Sequence, residues 1–139
     1  MGKRYLTTLV FWLGLSFFSA LADDAAEKAA GVAAPAWLMQ IYAGRYAASW
    51  KDASAYFRAA VSEKNWSDAL NGSRKPLGKL LRRELIKAQS ATSLPGAPDG
   101  NYVVMRFDTS FSNKKGAVET VTFMQEKDGK WRAVGYYIK

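Results

Sequence analysis

The segment YVVMRFDTSF at residues 102–111 sets the fold class of this chain. Val103, Met105 and Phe107 alternate with Arg106 and Asp108, so apolar and polar side chains point to opposite faces of an extended backbone. A period of two predicts a half-buried β-strand. The segment therefore predicts a sheet with one face toward a core and the other toward solvent.

Three further strands are predicted at residues 79–92, 117–125 and 131–138. Turn-forming residues separate the strands: a Pro- and Gly-rich loop, then a polar loop ending in Gly, then the hairpin signal at 127–130. The first of these segments also has helix propensity, but the Pro-Leu-Gly break at 76–78 favours a strand. The strands predict an antiparallel meander.

The register of this sheet predicts which side chains share a face. Pairing Phe111 with Ala117 places Thr109 opposite Glu119. A three-residue loop with a glycine bulge in the last hairpin then brings Tyr137 opposite Glu119, whereas a two-residue loop turns the other face of the last strand inward. In either register, a carboxylate on the apolar face lies near an aromatic hydroxyl.

Residues before the sheet predict helices that cover one of its faces. Residues 23–34 predict a frayed helix, 35–44 a firm helix, and 46–61 a second one with an apolar stripe. A third helix begins after Ser62, a good N-cap, and ends before Pro76. The expected architecture is α+β, with three N-terminal helices packed on a curved four-stranded antiparallel sheet.

Residues 1–22 have the pattern of a secretory signal peptide. Two positive charges precede an apolar run at residues 5–18, and Ala20-Leu21-Ala22 predicts cleavage between Ala22 and Asp23. The apolar run is shorter than the ~20 residues that a membrane span needs. An uncleaved N-terminal anchor is the alternative. We predict one domain over residues 23–139, with no membrane span after cleavage.

The chain contains neither Cys nor His. This composition excludes thiolate nucleophiles, His-based triads and ordinary structural zinc sites, so acid or base work would fall to carboxylates, Lys or Tyr. Exported eukaryotic domains of this size usually depend on disulfides, and a Cys-free exported chain fits a bacterial periplasm better. We predict a periplasmic or secreted protein without cofactor or metal.

Several motifs resemble a family of bacterial exported proteins known as domain of unknown function 4019. They are Ala36-Trp37-Leu38, Gly44-Arg45-Tyr46 with Ser49-Trp50, Phe57-Arg58, Trp66, Arg74-Lys75-Pro76-Leu77-Gly78, Ser93-Leu94-Pro95-Gly96-Ala97-Pro98-Asp99-Gly100, Ala117-Val118-Glu119-Thr120-Val121 and Asp128-Gly129-Lys130-Trp131. The resemblance implies a cystatin-like or nuclear-transport-factor-like cone, which often encloses a pocket between sheet and helices. Tyr42 departs from the acidic residue of the family pattern at that position.

Glu119 is the leading candidate for a functional residue. Beside Tyr137 on the concave face, it would serve as an acid, a base or a ligand anchor. The structural alternative, which is favoured, is a buried carboxylate that pairs with Arg83 or caps a helix N-terminus. Most of the aromatic residues are expected in the core. The predicted ligand-binding set is Glu119, Tyr137, Thr109, Arg83, Trp50, Trp37 and Tyr46.

The clustered basic residues before and within the first strand have two interpretations. A solvated strand edge is favoured over contact with anionic lipids or acidic glycans, because Lys and Arg commonly protect exposed strands. Export and the lack of a recognition motif argue against a nucleic-acid partner. The basic residues are Arg74, Lys75, Lys79, Arg82, Arg83 and Lys87.

These features predict an exported accessory module that binds a small apolar ligand or a periplasmic protein without catalysis, as a monomer or a homodimer. The alternative is a small-molecule hydrolase or isomerase that uses Glu119 and Tyr137 in the cavity. A third hypothesis is an inhibitor-like protein that acts through its loops, such as the loop at 95–100.

Overall fold

The computed structural model describes the backbone of residues 3–139 and the side chains of residues 23–139. The predicted signal peptide therefore lies outside the residues whose side chains are described. Within the described part, helices precede a four-stranded antiparallel sheet. The elements are α1 (Lys3–Tyr42), α2 (Tyr46–Lys51), α3 (Ala55–Ala60), α4 (Glu63–Ser73), a 3-10 helix (Lys75–Leu77), β1 (Leu80–Ala91), β2 (Tyr102–Phe111), β3 (Lys114–Gln125) and β4 (Trp131–Ile138).

The first helix differs from the prediction, because α1 continues through Pro35 instead of beginning there. Proline removes one backbone hydrogen bond from a helix interior. Ala34 and Leu38 on either side are completely buried, and this packing outweighs the local penalty. The end of the helix is as predicted: α1 stops at Tyr42, and Gly44 follows with a φ of +78°.

The single helix predicted over 46–61 is wrong, since the chain forms α2 and α3 with a break between them. Ser54 causes the break. Its N–H donates to the carbonyl of Ala133 on β4 at 2.9 Å, and its hydroxyl caps α3 by accepting the N–H of Phe57 at 3.1 Å. The predicted N-cap of the next helix is confirmed, because the hydroxyl of Ser62 accepts the N–H of Asn65 at 3.1 Å.

The sheet has the order β1-β2-β3-β4 and confirms the predicted meander, including β1 as a strand. Alternate residues of β2 and β3 are buried, as the period of two predicted. The buried face packs against α1, which contacts all four strands. The core between them contains Trp37, Leu38, Ile41, Phe57, Trp66, Leu70, Val103, Met105, Phe107, Val121 and Phe123.

The register predicted between β2 and β3 is wrong by two residues. Ala117 pairs with Thr109 rather than with Phe111. The turn is shorter than predicted, since Phe111 already pairs with Lys114. An even shift preserves the faces of a strand, and Glu119 therefore still points into the core.

The register predicted between β3 and β4 holds only near the hairpin. Farther along, Val134 is left without a partner on β3, which is a β-bulge. An extra residue exchanges the two faces of the strand beyond it. Tyr136 therefore points toward Glu119, and Tyr137 is 59% exposed. The prediction that Tyr137 lies beside Glu119 is wrong for this reason.

The α+β class is thus confirmed, with helices on one face of an open sheet whose edges are β1 and β4. The finer cone-shaped fold stays a prediction. In the described part of the chain, no helix combines the length and the apolar character that crossing a bilayer requires.

Candidate functional site

Glu119 on β3 is completely buried and joins all four strands. Arg83 on β1 donates from Nε to Oε1 at 2.7 Å and from Nη2 to Oε2 at 3.2 Å. Thr109 on β2 donates its hydroxyl to Oε1 at 2.7 Å, and Tyr136 on β4 donates its hydroxyl to Oε2. We call these four residues the Glu119 cluster.

The Glu119 carboxylate has no acceptor position left for another molecule. A carboxylate offers about four lone-pair sites, and each oxygen of Glu119 already accepts two hydrogen bonds. The side chain of its ion-pair partner Arg83 is only 11% exposed. The cluster is therefore a closed, charge-compensated unit within the core.

The environment of Tyr136 stabilises its neutral form. Burial raises the pKa of the Tyr136 hydroxyl, and the charge of Glu119 together with their hydrogen bond raises it further. Its ring lies edge-on to the indole of Trp37, with ring centres 5.9 Å apart. The Tyr136 hydroxyl therefore stays protonated and donates a hydrogen bond to the carboxylate over the whole physiological pH range.

We expect the stability of the protein to fall above pH 10 because of Tyr136. Because the pKa of Tyr136 is raised in the folded state, its protonated hydroxyl contributes fully to the free energy of unfolding below the ordinary pKa of 10. This contribution is lost as the pH rises from 10 toward the folded-state pKa. The free energy of unfolding of the wild type should decrease by about 1.4 kcal/mol per pH unit more steeply than that of Tyr136→Phe. Urea titrations between pH 8 and 12 measure the difference.

Tyr137→Phe is the matched control for this experiment, because Tyr137 is the exposed neighbour on the same strand. Its pH dependence should follow that of the wild type. Parallel curves for the wild type and Tyr136→Phe would contradict the assignment of the alkaline transition to Tyr136.

A cleft of about 600 Å³ opens between α1, the α2–α3 connection and the hairpin of β3 and β4. We call it the hairpin cleft. Trp37 contributes to its wall while also contacting Tyr136, so one indole separates the cleft from the Glu119 cluster. The polar residues that line the cleft on its helical and hairpin sides are Gln40, Lys51, Asp52, Arg58, Glu126, Lys130 and Arg132.

Both carboxylates of the hairpin cleft are already engaged. Asp52 accepts the amide N–H of Gln40 at 2.6 Å. Glu126 accepts the guanidinium of Arg132 at 2.7 Å and the backbone N–H of Ala55 at 3.0 Å. The amide oxygen of Gln40 is buried without a hydrogen-bond partner in the described part of the chain. Both groups thus hold the walls together, but only the charge of Glu126 is balanced by a bonded cation, because Gln40 is neutral.

Arg132 is the one cation of the cleft wall with carboxylates within 4 Å, among the residues described. It bonds both Glu126 and Asp128, and its hydrogen bonds lower the pKa of Asp128 to about 2. Lys51, Arg58 and Lys130 also line the cleft. Their charges have no such partner in the same part of the chain, so the cleft has a positive excess.

The comparison with protein families matches residues 33–136 to the family described as Protein of unknown function (DUF4019). The chain belongs to this family. The matched part of this DUF4019 chain contains the Glu119 cluster and the lining of the hairpin cleft. No curated protein and no solved structure matches the chain.

The aromatic candidates of the DUF4019 domain are distributed between the core and its edge. The indole N–H of Trp37 donates to the buried carbonyl of Ser49 at 2.8 Å. Trp66, which is outside the predicted set, donates to the hydroxyl of the same serine at 2.9 Å. Trp50 and Tyr46 pack at the edge of the core, and the Trp50 indole donates to a backbone carbonyl at 2.7 Å. Trp37 and Trp66 both pack edge-on against Tyr136 of the Glu119 cluster, with ring centres 5.9 and 6.4 Å apart.

The prediction of a solvated basic edge is wrong for two of its members. Arg74 is only 3% exposed, lies 4.3 Å above the ring of Phe111 and donates to the carbonyl of Gly78 at 2.8 Å. Arg83 belongs to the Glu119 cluster. Arg74 is the C-cap of α4, where a cation is favourable, and its contacts with Gly78 and Phe111 hold its side chain in the core.

Sequence reasoning missed Tyr136 and the cations of the hairpin cleft. The two-residue-loop register would have brought the correct tyrosine inward, although the structure reaches that arrangement through the bulge at Val134. Lys51 and Lys130 carried no sequence signal, since they lie far apart in the chain on exposed positions. In the described residues, no three acidic side chains come close enough to hold a metal ion.

Proposed function

We propose that this protein is an exported module that binds a small ligand in the hairpin cleft and performs no catalysis. The observation that carries the proposal is the cleft itself. Its volume of about 600 Å³ is within the range of small-molecule sites, and its lining combines aromatic side chains with four cations and only two carboxylates. The export part of the proposal rests on the signal-peptide pattern of residues 1–22.

The state of the Glu119 cluster supports binding over catalysis. A general base needs a free lone pair within hydrogen-bond reach of the proton that it abstracts. Glu119 is completely buried and its lone pairs are occupied by Arg83, Thr109 and Tyr136. A hydrolase or isomerase that used Glu119 would have to break this unit in each cycle.

Native mass spectrometry of protein purified from the periplasm of an expressing bacterium tests the proposal. We expect the mass of residues 23–139 together with an additional mass that is released on gentle activation. Ala36 lines the cleft and is exposed, so Ala36→Trp should fill the cleft and abolish the additional mass. Val32→Trp is the matched control, because Val32 lies on the same helix, is 73% exposed and should retain the ligand.

Two results would overturn the proposal. A bare wild-type mass would exclude a retained small ligand and would favour a protein partner, to be sought by cross-linking in the periplasm. An additional mass that is equal in Ala36→Trp and in the wild type would place the ligand outside the hairpin cleft.

A further inference from the structure

We infer that the hairpin cleft binds a small organic anion, a carboxylate attached to a flat apolar ring system. This inference rests on the proposed function and adds the chemical class of the ligand. It differs from the apolar ligand expected from the sequence, because the charges of the cleft became visible only in the structure. Three observations support this inference: the charge of the cleft, its apolar lining, and the lack of the same combination in two other clefts.

The positive excess of the cleft favours an anionic ligand. Lys51 and Arg58 approach from the α2–α3 region, and Lys130 approaches from the hairpin turn. With Arg132, four cations line the cleft against the two carboxylates Asp52 and Glu126, which leaves an excess of two positive charges. Positive charges from two sides of one concave surface repel each other, and a bound carboxylate would relieve this repulsion while accepting charge-assisted hydrogen bonds.

The aromatic and small apolar side chains of the cleft favour a ligand with a flat apolar ring system. Trp37 and Phe123 line the cleft with little exposed surface, since they are 5% and 2% exposed. Trp131 on β4 lines the cleft as well and is only partly buried. On the helix side, Ala33 and Ala36 are small enough to leave room for a ring. Aromatic rings pack favourably on such walls, edge to face or offset.

Two other clefts of the described chain lack this combination. A groove of about 780 Å³ between the middle of α1, the end of β1 and the beginning of β2 has Asp23 as its charged lining residue, although Trp131 lines it as well. A cleft of about 340 Å³ beside β2 and β3 contains Arg82, which already pairs with Glu84, and both Lys115 and Asp108. Neither cleft joins an excess of cations to tryptophan walls.

Isothermal titration calorimetry with three probes tests the ligand class. Indole-3-acetate has the inferred chemistry, indole-3-acetamide has nearly the same shape without the charge, and acetate has the charge without the ring. For the periplasmic protein freed of any retained ligand, we expect indole-3-acetate to bind at least tenfold more tightly than either of the other probes.

A pair of charge variants locates the site. Lys130→Glu should weaken the binding of indole-3-acetate at least fivefold and leave the binding of indole-3-acetamide unchanged. Lys127→Glu makes the same change of charge on the same hairpin, outside the lining of the cleft, and should stay within twofold of the wild type.

The possible failures are distinguishable. Equal binding of indole-3-acetate and indole-3-acetamide, both abolished by Ala36→Trp, would overturn the inferred anion and leave the cleft as a ligand site. Binding of indole-3-acetate that is insensitive to Lys130→Glu would likewise overturn it. Absence of binding by all three probes would overturn the inferred class, whereas the proposed function is decided separately by the additional mass in native mass spectrometry and its loss in Ala36→Trp.

Discussion

Replacement of Glu119 by Gln should lower the free energy of unfolding by about 4 kcal/mol, because it removes one partner of a buried ion pair. The Arg83 guanidinium would stay in the core without a counter-charge, since its side chain is 11% exposed and that of Glu119 is fully buried. Thr109 and Tyr136 would at the same time exchange a charged acceptor for a neutral amide. Urea denaturation followed by tryptophan fluorescence measures the loss.

Glu84→Gln is the matched control for Glu119→Gln. Glu84 pairs with Arg82 at the same 2.7 Å, but their side chains are 63% and 67% exposed. Exposed pairs contribute little, so this substitution should change stability by less than about 1 kcal/mol. If both substitutions lower the free energy of unfolding equally, the Glu119 cluster does not stabilise the sheet as described. A functional role of the Glu119 carboxylate would then be favoured.

The double substitution Arg83→Met/Glu119→Gln separates two energies: the attraction between Arg83 and Glu119, and the cost of leaving either charge buried without its partner. Removal of both charges leaves no unpaired ion in the core, and apolar replacements of buried pairs are often tolerated. The double variant should therefore lose less stability than the sum of the two single variants. Additive losses would contradict a direct coupling between Arg83 and Glu119.

The strands were predictable because their signal is local. Alternation along residues 102–111 depends on neighbouring side chains only, and the same rule placed Glu119 on the core face despite a register error of two residues. The bulge at Val134 was not predictable in this way. One unpaired residue leaves no compositional mark, yet it decides that Tyr136 rather than Tyr137 completes the cluster.

The helical layer was harder to predict because tertiary contacts override local preferences there. The break at Ser54 depends on a hydrogen bond to Ala133, which lies far away in the sequence on β4. Continuation of α1 through Pro35 likewise depends on packing against the sheet. The hairpin cleft forms where α1, the break and the hairpin meet, so its cations could not be grouped before the fold was known.

Truncation of Trp37 should be the second large perturbation, with a loss of about 4 kcal/mol for Trp37→Ala. Trp37 is 5% exposed and packs its ring against Trp66, Phe123 and Tyr136 at centre distances of 5.9 to 6.0 Å. Its indole N–H also satisfies the buried carbonyl of Ser49. The substitution therefore creates a cavity between α1 and the sheet and leaves a buried acceptor unpaired.

Two further variants on this helix separate these contributions. Trp37→Phe keeps an aromatic ring but loses the N–H donor, and it should cost about 1–3 kcal/mol. Met39→Ala is the surface control, because Met39 is 47% exposed on the same helix, and its effect should stay within about 0.5 kcal/mol. A loss for Trp37→Ala no larger than that for Met39→Ala would contradict the packing described.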